Sequence, residues 1–478
     1  MSRVESDQRI VGGRTSAAGP TPTDALPEVL PHRRLIFAIV SIALFMSSID
    51  QTIVATALPA IEHDFSAHIN WSGWTITIYA LGQVMAMPLA GKISDQFGRK
   101  KVFLIAAVVF IAASLSCGFA TNIQTLVVLR AVQAIGGGAF MPSATGIVSD
   151  HFGKDRDRAL GMFSSIFPIG GIVGPIIGGA FVAAWSWRGI FLVNVPIGIV
   201  LIVLATIFIP RGVTRRTART DLRGVLLLGL LILSAMFGIT YLGSASVSLD
   251  SPVFLGSEAV ALVAAWLFVR HSRTYPAPFI PFQLLRGRGF GTMNLINLLY
   301  GAAALGFGAL VPLYAENRFG ITALAAGTLL TARAVGMICV AALAVAALRR
   351  TGYQLPMIVG FVVVAGGLAL MSTTPRGLTP YLWLAVAAAI TGVGMGMSTP
   401  ASNNASMQLA PDQVAAIAGL RGMFRQSGAI MAVSVTTTIV ARSADPGIAQ
   451  AHIFAAFAGL LILAIPLVFL VPDHRGSW

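Results

Sequence analysis

Residues 91–101 read Gly91-Lys92-Ile93-Ser94-Asp95-Gln96-Phe97-Gly98-Arg99-Lys100-Lys101. Gly91 and Gly98 permit a tight turn and close approach of neighbouring helices. Asp95 stands near the start of the next apolar run, where a carboxylate complements the helix dipole. Arg99, Lys100 and Lys101 hold the turn on one face of a membrane. On either side lie the apolar runs 71–93 and 102–120. Each approaches the ~20 residues that a helix rising ~1.5 Å per residue needs to cross ~30 Å of hydrocarbon. A short charged turn between two such runs is the signature of a chain that crosses a membrane repeatedly.

The rest of the chain repeats this design. Fourteen segments qualify or nearly so: 35–60, 71–93, 102–120, 123–148, 158–184, 188–209, 222–242, 252–270, 290–314, 322–348, 354–373, 379–399, 414–440 and 449–471. The eighth is the weakest, because it begins at Pro252 and carries Glu258. Of 478 residues, 56% are hydrophobic and 10% charged, with a mean hydropathy of +0.82. A soluble domain carries about 25% charged residues, so lipid is the solvent for most of this chain. The formal charge of +14 does not imply nucleic acid, because the basic residues sit in short segments between apolar runs. There they orient the protein and meet anionic lipid head groups. With the N-terminus inside, 24 of the 32 basic residues fall in inner segments and four in outer ones: Arg188, Arg318, Arg376 and Arg442. Both termini are therefore expected in the cytoplasm. The excess of Arg over Lys suggests a GC-rich bacterium, and so a bacterial cytoplasmic membrane. Residues 1–34 read as a disordered polar tail and 472–478 as a short one. Cys117 and Cys339 lie in apolar runs as ordinary packing residues, with no disulfide or metal site expected.

The 91–101 loop resembles the signature loop of the major facilitator superfamily. In that family it latches the two halves together when the transporter faces outward. The resemblance implies that Asp95 pairs with Arg421 or Arg425, and Arg99 with Asp150. The fifth segment contains Gly170-Gly171-Ile172-Val173-Gly174-Pro175-Ile176-Ile177-Gly178-Gly179. Glycine at every fourth residue lines one helix face and lets another helix close in. Pro175 removes a backbone donor. This pattern resembles the antiporter motif of facilitator exporters and argues for export over uptake.

Two charges lie deep in the membrane. The first segment carries Asp50 in Ile49-Asp50-Gln51-Thr52, and the fourth carries Arg130 and Gln133 in Leu129-Arg130-Ala131-Val132-Gln133. A charge at such depth costs roughly 2.5–3.5 kcal/mol on insertion scales. Their depths, ~15 Å and ~10 Å from the outer ends of their segments, let them meet if the two helices are neighbours. They read either as a structural ion pair or as a proton site, since burial raises a carboxyl pKa and a nearby Arg lowers it. Both segments resemble those of the fourteen-span drug:proton antiporter group, which usually has Asn where this chain has Ala55, and Gly where it has Ala134. Trp187-Arg188-Gly189-Ile190-Phe191-Leu192-Val193-Asn194-Val195-Pro196 resembles that group too, and Arg425-Gln426-Ser427-Gly428 does so more weakly.

The resemblance implies an all-α integral membrane fold with two six-helix bundles, 35–210 and 286–471, and an inserted helix pair within 211–285. It also implies a central cavity to which Gln133, Asn294, Asn297, Tyr300, Arg333 and Met395 contribute. Four arginines lie inside spans (Arg130, Arg333, Arg421 and Arg425) against one deep carboxylate, so neutral or anionic amphiphiles are expected over dications. A monomer driven by the proton gradient, with no cofactor, is expected. The rival job on the same fold is export or flipping of a lipid or envelope precursor. An intramembrane enzyme would need a buried nucleophile beside a base, yet the seven histidines sit in tails, loops or span ends. A fixed channel has no use for a latch.

Overall fold

The computed structural model describes residues 32–473 apart from 67–68, 165, 211–220, 243–246, 277, 279, 288, 322, 376, 411–412 and 472. The described residues form helices and short connections, with no strand among them. In order these are α1 (Arg33–Phe65), α2 (Ile69–Phe97), α3 (Arg99–Gly118), α4 (Ile123–Phe152), α5 (Arg156–Ser164), α6 (Ile166–Ala184), α7 (Gly189–Leu192), α8 (Asn194–Phe208) and α9 (Leu222–Leu242). There follow α10 (Pro252–Thr274), α11 (Phe282–Arg286), α12 (Phe290–Tyr300), α13 (Phe307–Phe319), α14 (Ala323–Thr351), α15 (Gln354–Ser372), α16 (Pro380–Gln408), α17 (Val414–Ala441) and α18 (Pro446–Val468). Each of the fourteen apolar segments coincides with a helix or with consecutive helical pieces. Among the described residues, ten helices are long and apolar enough to cross a membrane by length and composition. Two segments are divided among the described residues: the sixth into α7 and α8, and the ninth into α12 and α13 around a π-turn, Gly301–Gly306.

The helix starts are written locally. Asn122 accepts from Thr125 N (2.8 Å) and Asp445 from Ile448 N (2.9 Å), so each satisfies an orphan donor of the first turn. Pro380 and Pro446 open their helices where no N–H is required. Outward faces are apolar: Ile105, Val128, Leu262, Leu343 and Leu463 are each more than half exposed. That is the surface of a protein solvated by lipid, in which close packing of small residues, not water exclusion, drives helices together.

One hydrophobic core is built from residues 293–471, and another from 36–209 with Met407, Val414, Ile417 and Ala418 added from α16 and α17. The α9–α10 pair is not a free appendage. Leu228, Ile232 and Met236 of α9 pack with Leu81 and Val84 of α2 and with Leu420 and Met423 of α17. The inserted pair thus flanks the seam between α2 and α17.

One end of the molecule gathers cations: Arg33 bonds Asp155 at 3.0 Å, Lys100 Nζ donates to Thr206 O at 2.7 Å, and Arg99 meets Asp150. At the opposite end Arg188 binds Asp64 at 2.6 Å, and Trp187 Nε1 donates to the same carboxylate oxygen at 3.1 Å. The hydrogen bond from Arg188 is the main reason the Asp64 carboxyl sits below the usual carboxylate range. Among the described residues, the hydrogen bonds that join 33–209 to 290–471 all lie at the basic end: Ala416 N to Asp95, Tyr353 Oη to Asp157, and Asn404 Nδ2 to Asp157 O. The two sets of helices are held together there.

Candidate functional site

Asp50 and Arg130 stand in the interior of the first half, each 0% exposed. Arg130 Nη1 lies 2.5 Å from Asp50 Oδ2. Asp50 Oδ1 accepts from Gln133 Nε2 at 2.8 Å and from Asn194 Nδ2 at 3.3 Å. Arg130 Nη1 also donates to Gln133 Oε1 at 2.8 Å, and its Nε to Thr75 O at 3.3 Å. The guanidinium lies 3.9 Å from the centre of the Tyr79 ring, and Phe191 is 5.7 Å away. Arg130 and Gln133 share a face of α4 because residues three apart are neighbours on a helix. Asn194 opens α8, tied by Ser114 Oγ at 3.1 Å. Four elements thus converge on one carboxylate. Such a pair is costly to break: removing one partner leaves a buried charge worth about 3–5 kcal/mol.

A second polar set adjoins it. Gln83 Nε2 donates to Ser47 Oγ (3.1 Å), which donates to Gly137 O (3.2 Å). Tyr79 Oη and Gln83 Oε1, both buried, have no hydrogen-bond partner among the described residues.

The glycine motif presses on the helix that carries Asp50. A Cβ on Gly170 would stand 2.6 Å from Ser48 Cβ, one on Gly174 3.1 Å from Ile49 O, and one on Gly178 2.8 Å from Ile53 Cγ1. These contacts bracket Asp50, so α6 and α1 touch backbone to backbone beside the buried pair. Thr52 and Thr56 return their hydroxyls to their own helix, at Ile49 O (3.2 Å) and Ile53 O (2.8 Å). Gly171 and Gly179 face open space, so three of the five glycines make the contact. Pro175 belongs to the same helix.

The turn at 91–101 departs from the implied pairing. Arg99 does bridge Asp150 and also lies 3.3 Å from Asp95, but Asp95 pairs with neither Arg421 nor Arg425. Asp95 Oδ2 instead accepts from Ala416 N at 3.0 Å. Ala416 is in the first turn of α17, whose N–H groups lack intrahelical acceptors, and a carboxylate there also meets the positive end of the helix dipole. Arg421 lies more than a turn further along and donates to Asn403 Oδ1 at 3.0 Å. Gly91 permits the approach: a Cβ there would stand 2.9 Å from Ala416 Cα. Gly98 adopts φ 96°, a conformation an L-residue side chain resists.

The second half holds a different centre. Tyr300 Oη pairs with Thr399 Oγ1 (3.1 Å) and accepts from Ser398 Oγ (3.0 Å), and its ring stacks on Phe361. Arg333, Arg421 and Arg425 all lie within electrostatic reach of this phenol. Among the described residues none of the three forms an ion pair. Arg421 is 3% exposed and its Nε has no acceptor. Arg333 Nη1 reaches only Ala304 O, at 3.5 Å.

The other second-half residues assigned to the cavity from sequence have these partners. Asn294 Nδ2 donates to Leu284 O of α11 (3.0 Å), Asn297 Nδ2 to Met293 O of its own helix (2.7 Å), and Met395 is packed in the core. Gln133 serves Asp50. Sequence reasoning missed Tyr79, Ser114 and Asn194 as members of the Asp50 centre. Asn194 had a signal, because it stands in the Trp187–Pro196 run; Tyr79 and Ser114 had none. A cavity of about 510 Å³ opens at the basic end between α5 and α14, beside Asp157 and Arg349, and reaches neither centre. The described residues contain no cluster of metal-ligating side chains.

Comparison with known proteins fits this arrangement. The model of the Major Facilitator Superfamily matches residues 40–433. This chain belongs to the major facilitator superfamily. It is a transporter of that family, not an enzyme. The chain is 30% identical over 420 residues to the multidrug transporter protein MdtP of Bacillus subtilis, covering 86% of this chain and 76% of that one. It is 30% identical over 405 residues to the multidrug resistance protein B homolog of Mycobacterium tuberculosis (84% and 74% covered). To the methylenomycin A resistance protein of Streptomyces coelicolor it is 28% identical over 403 residues (84% of each). The fold matches the crystal structure of the human organic anion transporter MFSD10 with a TM-score of 0.68 at 14% identity, covering 92% of this chain and all of that one. It matches the proton:xylose symporter XylE at 0.66 and 13% identity, covering 93% and 97%.

Proposed function

We propose that this chain is a proton-driven exporter of small amphiphilic molecules that works by alternating access across a bacterial cytoplasmic membrane. The observation that carries the reading is the buried Asp50–Arg130 pair at the convergence of α1, α2, α4 and α8. A carboxylate held by one guanidinium and two amides is a group whose proton affinity changes when the guanidinium moves. Two features support export. The glycine face of α6 seals against the Asp50 helix, and relatives of this chain bear multidrug and methylenomycin A resistance in their names.

The proposed topology has fourteen crossings with both termini inside, supported by the bias of 24 inner against four outer basic residues. The basic end is then cytoplasmic, and the bonds across it must break for the chain to open inward. In this state a proton from outside reaches Asp50 and neutralises it. Arg130 loses its counter-charge and shifts toward Gln133 and the backbone. The Asp95 cap on α17 then releases, the basic end opens, and cargo exchanges for the proton.

The test is transport by purified protein in proteoliposomes under an imposed pH gradient, with a panel of compounds. Asp50→Asn is expected to abolish gradient-driven export while preserving the folded protein. Export against a gradient by that variant would remove Asp50 from the coupling. Gene deletion then separates drug hypersensitivity from an envelope defect, the sign of a lipid-precursor cargo.

A further inference from the structure

Among the described residues, the second-half centre lacks an anion. Arg333 of α14 and Arg421 and Arg425 of α17 lie within electrostatic reach of Tyr300, yet among the described residues none has a carboxylate partner. Arg421 and Arg425 face each other as like charges, with Tyr300 the other titratable group at Arg421. A neutral phenol, already bonded to Ser398 and Thr399, does not offset three cations. Two of them nevertheless adjoin the turn that follows Tyr300: Arg333 Nη1 lies 3.5 Å from Ala304 O, and Arg425 packs on Gly301. Tyr300 ends α12 at the π-turn Gly301–Gly306, a local irregularity that frequently marks a functional position. Gly301 lets α17 close in, so that its Cβ position would stand 2.9 Å from Arg425 Cα. Asn403 fixes one nitrogen of Arg421 at 3.0 Å and leaves Nε, itself buried, without an acceptor. A buried guanidinium held at one edge, with an unused donor at the other, is arranged for an oxyanion.

We propose that Arg421, Arg425 and Arg333, grouped around Tyr300, form the head-group site for an acidic amphiphile, whose carboxylate or phosphate oxyanion supplies the counter-charge that the described residues do not. Between the two arginines of α17, Gly422 lies against the thioethers of Met87 and Met141 of the first half. Adaptable methionine surface thus adjoins the charged site, as an apolar tail requires. The proposal takes the transport reading as its frame and does not depend on proton coupling. It has an electrical corollary. Exchange of one outgoing monoanion for one incoming proton moves two positive charges inward, so an interior-negative potential drives export together with the pH gradient.

Equilibrium binding to the purified full-length protein in detergent separates this proposal from the coupling reading. The probes are radiolabelled laurate, the neutral dodecanol of the same length, and the dication decamethonium. Laurate is expected to bind at least tenfold more tightly than dodecanol. Arg421→Gln and Arg425→Gln should each erase that preference while leaving dodecanol binding unchanged, and Asp50→Asn should retain it. Arg421→Lys, which keeps the charge but not the fork, should retain part of the preference, and laurate should raise the melting temperature of the wild type but not of Arg425→Gln. Equal binding of laurate and dodecanol, or tighter binding of decamethonium, overturns the proposal and leaves proton coupling untouched. Displacement of laurate by dioctanoyl phosphatidylglycerol, lost in the same variants, assigns the oxyanion to a lipid head group; failure to displace assigns it to free acids.

Discussion

Around Asp50, one carboxylate and one guanidinium are each met by amide and carbonyl partners and neither is exposed, whereas around Tyr300 three guanidiniums lie within electrostatic reach of a single phenol. Both centres sit among helices that enter lipid, where an uncompensated charge is expensive. The first half balances its charge internally, so its polar centre is complete without a ligand. Among its described residues the second half does not, which is the ground for proposing that a ligand completes it. A site that is electrically complete responds to a proton, because a proton alone upsets it. A site that is electrically incomplete responds to an ion of opposite sign. The two halves of one fold are therefore suited to the two partners of an exchange.

The comparison breaks most directly at Asp50. Asp50→Asn keeps the shape and one acceptor oxygen but carries no charge for Arg130 and cannot exchange a proton, so gradient-driven transport should fall to background, read as substrate flux under an imposed pH step. Flux within a few-fold of wild type would place the proton elsewhere. Next in size is Arg130→Met. It leaves the Asp50 carboxylate buried without its cation and should cost about 3–5 kcal/mol of stability near neutral pH. The double variant Asp50→Asn/Arg130→Met should recover most of it. Denaturation midpoints check this; an undiminished loss in the double variant would show that packing, not charge, dominates.

A smaller effect sharpens the structural side of the contrast. Gly174→Val forces α6 away from Ile49 and Thr52 and should cost about 1–3 kcal/mol by overpacking. It should also raise uncoupled proton leak through reconstituted vesicles, while the same change at Gly171, which faces open space, should leave leak unaltered. The smallest expected change is Asp95→Ala, which removes a helix-start cap worth about 0.5–2 kcal/mol. It should shift the population toward the form open at the basic end, read as increased labelling of a cysteine introduced at Ala416. Unchanged labelling would mean that Arg99 and the Gly91 contact hold the seam without the cap.

Much of this was legible in the chain. The positions of the helices followed from run length and apolarity, and Asp50 and Arg130 stood out because ionised residues are rare at such depth. Gly170, Gly174 and Gly178 declared their face by a four-residue period. The partners of Asp95 were not legible. A carboxylate in a loop can meet either an arginine or the N–H groups of a helix start, and only the approach of α17 over Gly91 selects Ala416. Nor could Met395, Asn294 and Asn297 be separated from Tyr300, since core and cavity residues of a membrane helix share composition.

What the sequence determined by itself was local: which stretches are helices solvated by lipid, where they begin, which carry a charge in their interior, and which face is smooth enough for another helix. Chain length, apolarity and capping residues act within a few turns, so they are readable in order. The tertiary structure alone decided which distant residues share a charge. Asp50 gains Arg130, Gln133 and Asn194 from two other helices, while Arg333, Arg421 and Arg425 come within reach of Tyr300 with no ion-pair partner among the described residues. The physical reason is that the energy of a buried charge depends on what stands within a few ångströms of it in space, and sequence separation says nothing about that.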